Sequence, residues 1–275
     1  MPAVLGVDLG ATNLRVALGD ERGLVARAAE PVPATGDALA ARVAAIAREL
    51  AGGERIAAAG VGVPGIPDGD GFAGLIAGAA GLNGAPLRRL LEAALGAPVA
   101  VDNDVNLAAL AESRARGVRD LAFIAVGTGV GMGIVSDGRL IRGAHGAAGE
   151  LGRLPVGDHV VAPPDDLGPL EAIAGGAGLA TRAGTASAHE VFDTGRHALL
   201  EDQATVLASA IRAVHALLDP ELIVLGGGIG CRADVADRVA AALAAHGTPP
   251  PPVERSRLGE DAGLLGALAL ARDSG

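Results

Sequence analysis

The chain has 275 residues, enough for one large domain or two modest ones with a substantial core. Only three residues are aromatic (Phe72, Phe123 and Phe192), so a recognition surface of stacked rings is excluded. The net charge of −10 opposes broad binding to nucleic acid or anionic membrane, and the single cysteine, Cys231, excludes an internal disulfide or a cysteine-rich zinc cluster.

The first element is "VLGVDLG", where Val4, Leu5, Val7 and Leu9 form a short, glycine-bounded apolar run and predict a buried strand. A second strand, "LRVALGD", and a turn with Asp20 and Gly23 follow. "GDALAARVAAIARELAGG" is a helix with Leu39, Val43, Ile46 and Leu50 on one side and Gly52 as its stop. "RIAAAGVGVPGIPDGD" is a strand running into a Gly/Pro loop. "PLRRLLEAALG" is a helix, "APVAVDND" a strand, and "VNLAALAESRARG" a helix ending at Gly117.

"FIAVGTGVGMGIVSDGRLI", Phe123 to Ile141, then repeats the opening layout of strand, glycine loop, strand, polar turn and strand. The chain reads as loop until a helix near Leu170. "EDQATVLASAIRAVHALLDP" is a strong helix with Val206, Ile211, Val214 and Leu218 aligned, and "ELIVLGGGIG" is a strand ending in glycines. "DVADRVAAALAAHG" is a helix on Val235, Val239 and Leu243. "TPPPPVERSRLG" is a stiff proline connection, and "DAGLLGALALARD" a last helix. Alternating strands and helices imply an α/β protein. The repeated three-strand unit implies two related halves with a cleft between them and a boundary near Gly117. No apolar run approaches the ~20 residues of a membrane-spanning helix, and no targeting segment opens the chain; a cytoplasmic location is expected.

Backbone N–H groups bind phosphate well where side chains are absent. "DLGATN" (Asp8 to Asn13) and "GTGVG" (Gly127 to Gly131) both offer this, each with a hydroxyl, Thr12 or Thr128. Asp8 ends its strand near the turn, where a carboxylate suits a hydrated Mg²⁺. The glycines Gly226 to Gly228 again follow a strand, where an adenosine would lie flat on backbone. Each loop alone is equally well read as a tight hairpin; three of them in two similar units favour a nucleotide. No G-x-G-x-x-G opens a helix, and the G-x-x-x-x-G-K-[ST] loop is absent. Asn103 and Asp104 in "VDNDV" have a plain alternative as a helix cap, and Glu150 and Glu171 as capping or solvated glutamates.

Taken in order, "GVDLGATNLRVALGD", "GVGVPGIPD", "VDNDVNLAALAE", "GTGVGMGIVSDGRLIRGAHGAAGELG", "LGPLEAIAGGAGL", "LIVLGGGI" and "LLGALALA" resemble the ROK family of sugar kinases, bacterial glucokinases and their relatives in the actin-like ATPase superfamily. The resemblance covers nearly the whole chain. It implies two ribonuclease-H-like halves with a nucleotide and sugar cleft between them. The N-terminal α/β domain would span 1–117, joined by the C-terminal helix at about 262–275, and the C-terminal α/β domain 118–261.

It also implies transfer of the ATP γ-phosphoryl to a sugar hydroxyl, usually the 6-hydroxyl of a hexose, with ATP and Mg²⁺ as cofactors. Asp104 falls on the catalytic aspartate, which accepts the hydroxyl proton. Asn103, Glu150 and Glu171 fall on sugar-binding positions. Asp8, Gly10, Thr12, Asn13, Gly127, Thr128, Gly129, Gly227 and Gly228 fall on the nucleotide site, with Asp8 holding Mg²⁺ through water. A homodimer is implied as well. The family's repressors carry a helix-turn-helix domain ahead of this fold; the chain begins at the phosphate strand and is acidic, so a kinase with no nucleic-acid or membrane partner is expected.

Two departures bear on the substrate. Relatives place a histidine at Arg153 and a three-cysteine zinc stretch where this chain has "VVAPPDDLGPLE". With His159 the only candidate ligand there, no structural zinc is expected, and Pro163, Pro164 and Pro169 would stiffen the loop instead. Relatives also have a Pro-Asn pair whose asparagine contacts the sugar; its counterpart here is Gly78 or Ala79, with Asn83 a few residues later. Lost polar contacts of ~1–3 kcal/mol each point away from tight glucose binding and toward a modified acceptor, an amino sugar or a C7-cyclitol. An inactive sugar-binding sensor is the third reading.

Overall fold

The N-terminal apolar run forms strand β1 (Ala3–Leu9), in which Val4, Leu5, Val7 and Leu9 are all buried. The computed structural model describes residues 3–10, 13–20, 23–68, 70–74, 77–156, 167–245, 249 and 251–274. β1 pairs antiparallel with β2 (Asn13–Asp20), which pairs with β3 (Gly23–Pro31). On its other edge β1 pairs parallel with β4 (Ile56–Val63), and β4 with β7 (Val99–Asn103), giving the order β3-β2-β1-β4-β7. A strand with neighbours on both sides and helices on both faces has no polar side, which is why β1 reads as continuous apolar sequence rather than alternation.

Helix α1 (Gly36–Ala51) begins where the Thr35 hydroxyl accepts from the Ala38 N–H, and ends at Gly52 with a left-handed backbone, φ +56°. Its buried stripe of Leu39, Val43 and Ile46 joins the core with Leu87 and Leu91 of helix α2 (Leu87–Leu95). Between them, β5 (Ile66–Asp68) and β6 (Gly71–Ala73) make a small hairpin inside the segment that the sequence presents as a Gly/Pro loop. Helix α3 (Asp104–Arg116) follows β7 directly. The last helix, here α10 (Ala262–Ser274), lies on β1 and β4, with Leu264 and Leu268 against Val4 and Ala17. The approach is so close that a Cβ on Gly60 of β4 would stand 2.0 Å from the Ala267 carbonyl oxygen.

The second sheet repeats the first. β8 (Leu121–Val126), β9 (Val130–Ser136) and β10 (Arg139–Leu140) are antiparallel, and β11 (Leu222–Gly226) and β12 (Val253–Arg255) are parallel to β8, in the order β10-β9-β8-β11-β12. Between β10 and β11 the described residues form helices α4 (Pro169–Ala174), α5 (Gly176–Ala183), α6 (Ala188–Asp193) and α7 (His197–Leu218). After it come α8 (Gly227–Gly230) and α9 (Ala233–Ala244). Leu207, Ile211 and Val214 of α7 share a core with Val235, Val239 and Leu243 of α9.

Contacts divide the chain into one unit of Met1–Ala111, Arg142–Ala147 and Asp261–Gly275, and another of Glu112–Ile141 and Ala148–Glu260. Glu112, at the start of the second, is wholly buried. One of its oxygens accepts from Ser256 Oγ, Arg257 N and Leu258 N at 2.5, 2.9 and 3.0 Å, and the other from Arg116 Nε at 2.7 Å. Among the described residues no helix is long and apolar enough to cross a membrane.

Beyond the β5–β6 hairpin, the structure departs from the sequence reading at four places. The stripe of α7 runs through Leu200, Ala204, Leu207, Ile211 and Val214, while Val206 is only partly buried and Leu218 is exposed. Val206 sits off the true face, and Leu218 continues the face at the helix's last residue, past the buried part of the stripe. α5 and α6 are too short to show a period; Ser187 caps α6 by accepting from Glu190 N. The supposed connection after the prolines contains β12, whose pairing with β11 is a tertiary choice invisible in three residues. Gly131 belongs to β9, so the second glycine loop is Gly127 to Gly129. Thr12, His159, Pro163, Pro164 and His246 lie outside the described residues.

Candidate active site

β7 hands over to α3 at Asp102-Asn103-Asp104, and each side chain is given a separate task. Asp102 is buried and accepts from Asn103 N (2.8 Å), Asn106 Nδ2 (2.9 Å) and Arg142 Nε (2.6 Å). Asn103 is the helix cap: its Oδ1 accepts from Val105 N and Asn106 N, and its Nδ2 donates to the Gly65 carbonyl at 3.1 Å. Asp104 is half-buried at the first turn and accepts from Val105 N at 2.9 Å. Burial, and then the Asp8 carboxylate, push its carboxyl up from an ordinary 3.8 to about 7, against the backbone hydrogen bond.

Asp8 sits at the end of β1, which β4 separates from β7, one residue before the strand closes. Burial raises its carboxyl too, with Arg15, 4.0 Å away, pulling the other way. Two glycines give these carboxylates room. A Cβ on Gly62 would lie 3.5 Å from Asp104 Cα and 3.6 Å from Asp8 Oδ1, and one on Gly263, in the first turn of α10, 3.2 Å from Asp8 Oδ1. The result is a pair of hard oxygen donors in one unit, the donor type and number with which proteins hold Mg²⁺ alongside phosphates. The first glycine loop closes on itself, Gly10 N donating to Asn13 O at 2.8 Å, so that amide is committed within its turn; the Asn13 side chain is exposed.

The second unit carries the other glycine loop. Gly127 N likewise donates to Gly129 O. The loop is clamped from outside by Gly176 N on Gly127 O and Ala177 N on Thr128 O, at 2.8 and 2.9 Å. Glu171 braces it as well, accepting from Val130 N at 3.0 Å, and a Cβ on Gly129 would stand 2.0 Å from Glu171 Oε1. Glu171 therefore does for this loop what a capping glutamate does, alongside any ligand contact. Beside the loop lies a cavity of about 570 Å³. Gly127, Thr128 and Gly228 line it with Ala177, Ala180 and Ala188, and a Cβ on Gly228 would point into open space. Gly227, behind Gly228, holds a left-handed backbone at φ +77°. The walls from α5 and α6 were not singled out from the sequence. The only signal for them was the density of glycine and alanine at "AGGAG" and "TASA".

Arg153 pairs with Glu150 at 3.5 Å, both well exposed. They rim a groove of about 390 Å³ floored by Met132, Ile134, Leu151 and Leu154. Ala79 is buried in the first core, so that position offers no polar replacement for the asparagine of relatives, and Asn83 Nδ2 donates to Ala80 O. His145 is exposed. Among the described residues no three His, Cys, Asp or Glu side chains gather to hold a metal.

Two units, each with three antiparallel strands extended by two parallel ones and with carboxylates or glycines at the strand ends, define the actin-like ATPase fold. The chain belongs to the ROK family, whose model matches residues 4–274. It is 36% identical over 287 residues to the N-acetylmannosamine kinase of Salmonella typhimurium, covering 98% of both chains. It is 36% identical over 285 residues to the bifunctional enzyme NanE/NanK of Brucella suis, covering 98% of this chain and 53% of that one, so it spans about half of that relative's length. The crystal structure of the ROK hexokinase from Thermus thermophilus superposes with a TM-score of 0.88 at 32% identity, covering 99% and 98% of the two chains.

Proposed function

We propose that the chain transfers the γ-phosphoryl of ATP to a hydroxyl of a hexose or hexose-like sugar, with the 6-hydroxyl the expected acceptor. The observation that carries this is Asp104: a half-buried carboxyl at a helix start, held near 7 by burial and a second carboxylate. A base tuned to neutrality, beside a hard-oxygen donor, is what alcohol phosphorylation requires. Asp104 takes the hydroxyl proton as the acceptor oxygen forms its bond to phosphorus. The bond from phosphorus to the bridging oxygen breaks, and ADP leaves with that electron pair.

Mg²⁺ bound with ATP neutralises charge on the phosphates, and Asp8, through water, is the residue that would hold it. Gly10, Thr12, Asn13 and the loop Gly127, Thr128 and Gly129 would bind phosphate, and the small-walled cavity at Gly227 and Gly228 would take the adenosine. Asn103, Glu150, Glu171 and Arg153 would bind the sugar. Asn103 has a free amide hydrogen in this role, since its Oδ1 is spent on the cap. A cytoplasmic homodimer is part of the proposal, on the family resemblance.

An N-acylated amino sugar is the second reading for the acceptor, with a cyclitol behind it. The apolar groove beside Glu150 suits a substituent carrying a methyl group, and several similar proteins are named N-acetylmannosamine kinases. The test is ADP release with Mg·ATP and a panel of hexoses, N-acylated and free amino sugars, sugar acids and cyclitols, with Asp104→Asn as control. Release with one class, lost in the variant, supports the proposal. ATP binding without turnover on any acceptor would favour a sensor.

A further inference from the structure

The segment Arg142–Ala147 groups with the first unit, although β10 before it and Ala148 after it belong to the second. It has neither helix nor strand, and the ladder ends at Ile141 N on Ile134 O. Two side-chain contacts hold it. Arg142 Nε and Nη2 both reach Asp102 Oδ2 at 2.6 Å; the arginine is half-exposed, but its partner is only 4% exposed. Gly146, at φ +72°, lies against Pro67, whose ring carbon would stand 3.0 Å from a Cβ there. Pro67 lies in β5, two residues after Gly65, whose carbonyl Asn103 holds. Asp102 and Asn103 thus each secure one chain segment, and the two segments meet at Pro67 and Gly146. The ring closes at the residue before Asp104.

We propose that Arg142 is a positioning residue for the phosphoryl acceptor. Through Asp102 it fixes the 142–147 segment as a wall beside Asp104, so that the hydroxyl is presented to the carboxylate. This rests on the kinase reading above. The Gly127 loop and the small-walled cavity are built from the second unit's own residues, so Arg142 is assigned to the acceptor and not to ATP.

The experiment compares Arg142→Met, Arg142→Lys and the double variant Arg142→Met with Asp102→Asn. The single Met variant leaves a buried carboxylate without its cation and loses stability for that reason alone. The double variant removes both charges and keeps an oxygen for Asn103 N and Asn106 Nδ2, so it restores the fold. Expected is an acceptor KM at least tenfold above wild type in both Met variants, an ATP KM within twofold, and partial recovery in Arg142→Lys. Hydrogen exchange adds a readout independent of turnover: amides of 143–148 exchange at least tenfold faster in the double variant, while β8 and β9 stay protected. A double variant with wild-type acceptor KM would show the pair to be structural only and overturn the proposal, as would equal rises in both KM values. Should the wild-type protein phosphorylate nothing, the kinase reading fails, and unchanged exchange over 143–148 sinks the inference separately.

Discussion

Replacing Asp104 by asparagine should abolish phosphoryl transfer and make the protein more stable. A carboxyl moved from 3.8 to about 7 carries, when ionised, a penalty of ~4 kcal/mol at 1.36 kcal/mol per pH unit. Partial hydration of a half-buried group reduces this to about 2 kcal/mol. Because the folded-state value is raised, the folded protein binds the proton more tightly than the unfolded chain. The stability tied to this group is therefore full below pH ~4 and lost as pH rises through about 7. Asparagine has no charge to bury and keeps an oxygen for the Val105 N–H. The variant should thus melt roughly 5 °C above wild type at pH 8, with the gap narrowing at pH 5.5. Far-UV circular dichroism is the assay, since the chain has no Trp or Tyr. A variant no more stable than wild type at pH 8, or a gap independent of pH, refutes the account of Asp104 as a carboxylate held ionised against its surroundings.

The same raised carboxyl predicts that kcat/KM falls about tenfold per pH unit below neutrality, as the base becomes protonated; a flat profile from pH 5 to 8 would take Asp104 out of the base role. Gly129→Ala drives a Cβ onto Glu171 Oε1 and should raise the ATP KM at least tenfold while lowering the melting temperature; steady-state kinetics with both values unchanged would contradict the bracing role of Glu171. Glu112→Gln turns an amide N–H₂ toward the Arg116 guanidinium or toward the Ser256, Arg257 and Leu258 donors, since the two oxygens serve opposite sides. A loss of about 2–4 kcal/mol in chemical denaturation is expected. In wild type, burial acts to raise the Glu112 carboxyl, but Ser256, the Leu258 N–H and Arg116 outweigh it and hold it below the ordinary 4.5. Its stabilisation is present above that value and disappears as pH falls beneath it.

What the sequence makes legible is whatever repeats or alternates. β1 and β8 announce themselves by apolar runs ending in glycine, α1 by a stripe with a glycine stop, and α9 by its stripe. Its place at a strand end drew attention to Asp8, and the resemblance drew it to Asp104; the structure puts both at strand ends of one sheet. What stayed hidden depends on pairing across distance. β12 is three residues whose strand character comes from β11, and α5 and α6, of eight and six residues, span about two turns each or fewer. The role of Asp102 could not be read either, since its partner Arg142 lies forty residues on and nothing local marks either one. The plain readings of Asn103 as a cap and of Glu171 as a capping glutamate both describe bonds that exist, and these bonds coexist with whatever those residues do for a ligand.

The two sheets share one strand order but load their strand ends differently, and this difference has a physical logic. At the penultimate position of the first strand, unit one has Asp8 and unit two has Ala125. After the fifth strand, unit one has Asp104, where unit two has Ser256. The strand-end aspartates stand in one unit, and glycines and small side chains line the cavity of the other, beside a loop that Glu171 braces from outside. A polyphosphate carries several negative charges, and a site lined by aspartates would repel it. Backbone amides and alanines bring no charge and leave room for the base. Conversely, burial first and then Asp8, in the same unit, raise the Asp104 carboxyl toward the neutrality that a proposed base needs. Placing an aspartate at Ala125 should therefore weaken ATP binding by at least tenfold without altering the acid limb of the rate profile. An Asp8→Asn variant should shift that limb to lower pH, because the charge that raises Asp104 is gone. If the limb stays where it is in Asp8→Asn, burial alone sets the base, and the pairing of acids in one half of a duplicated fold has some other cause.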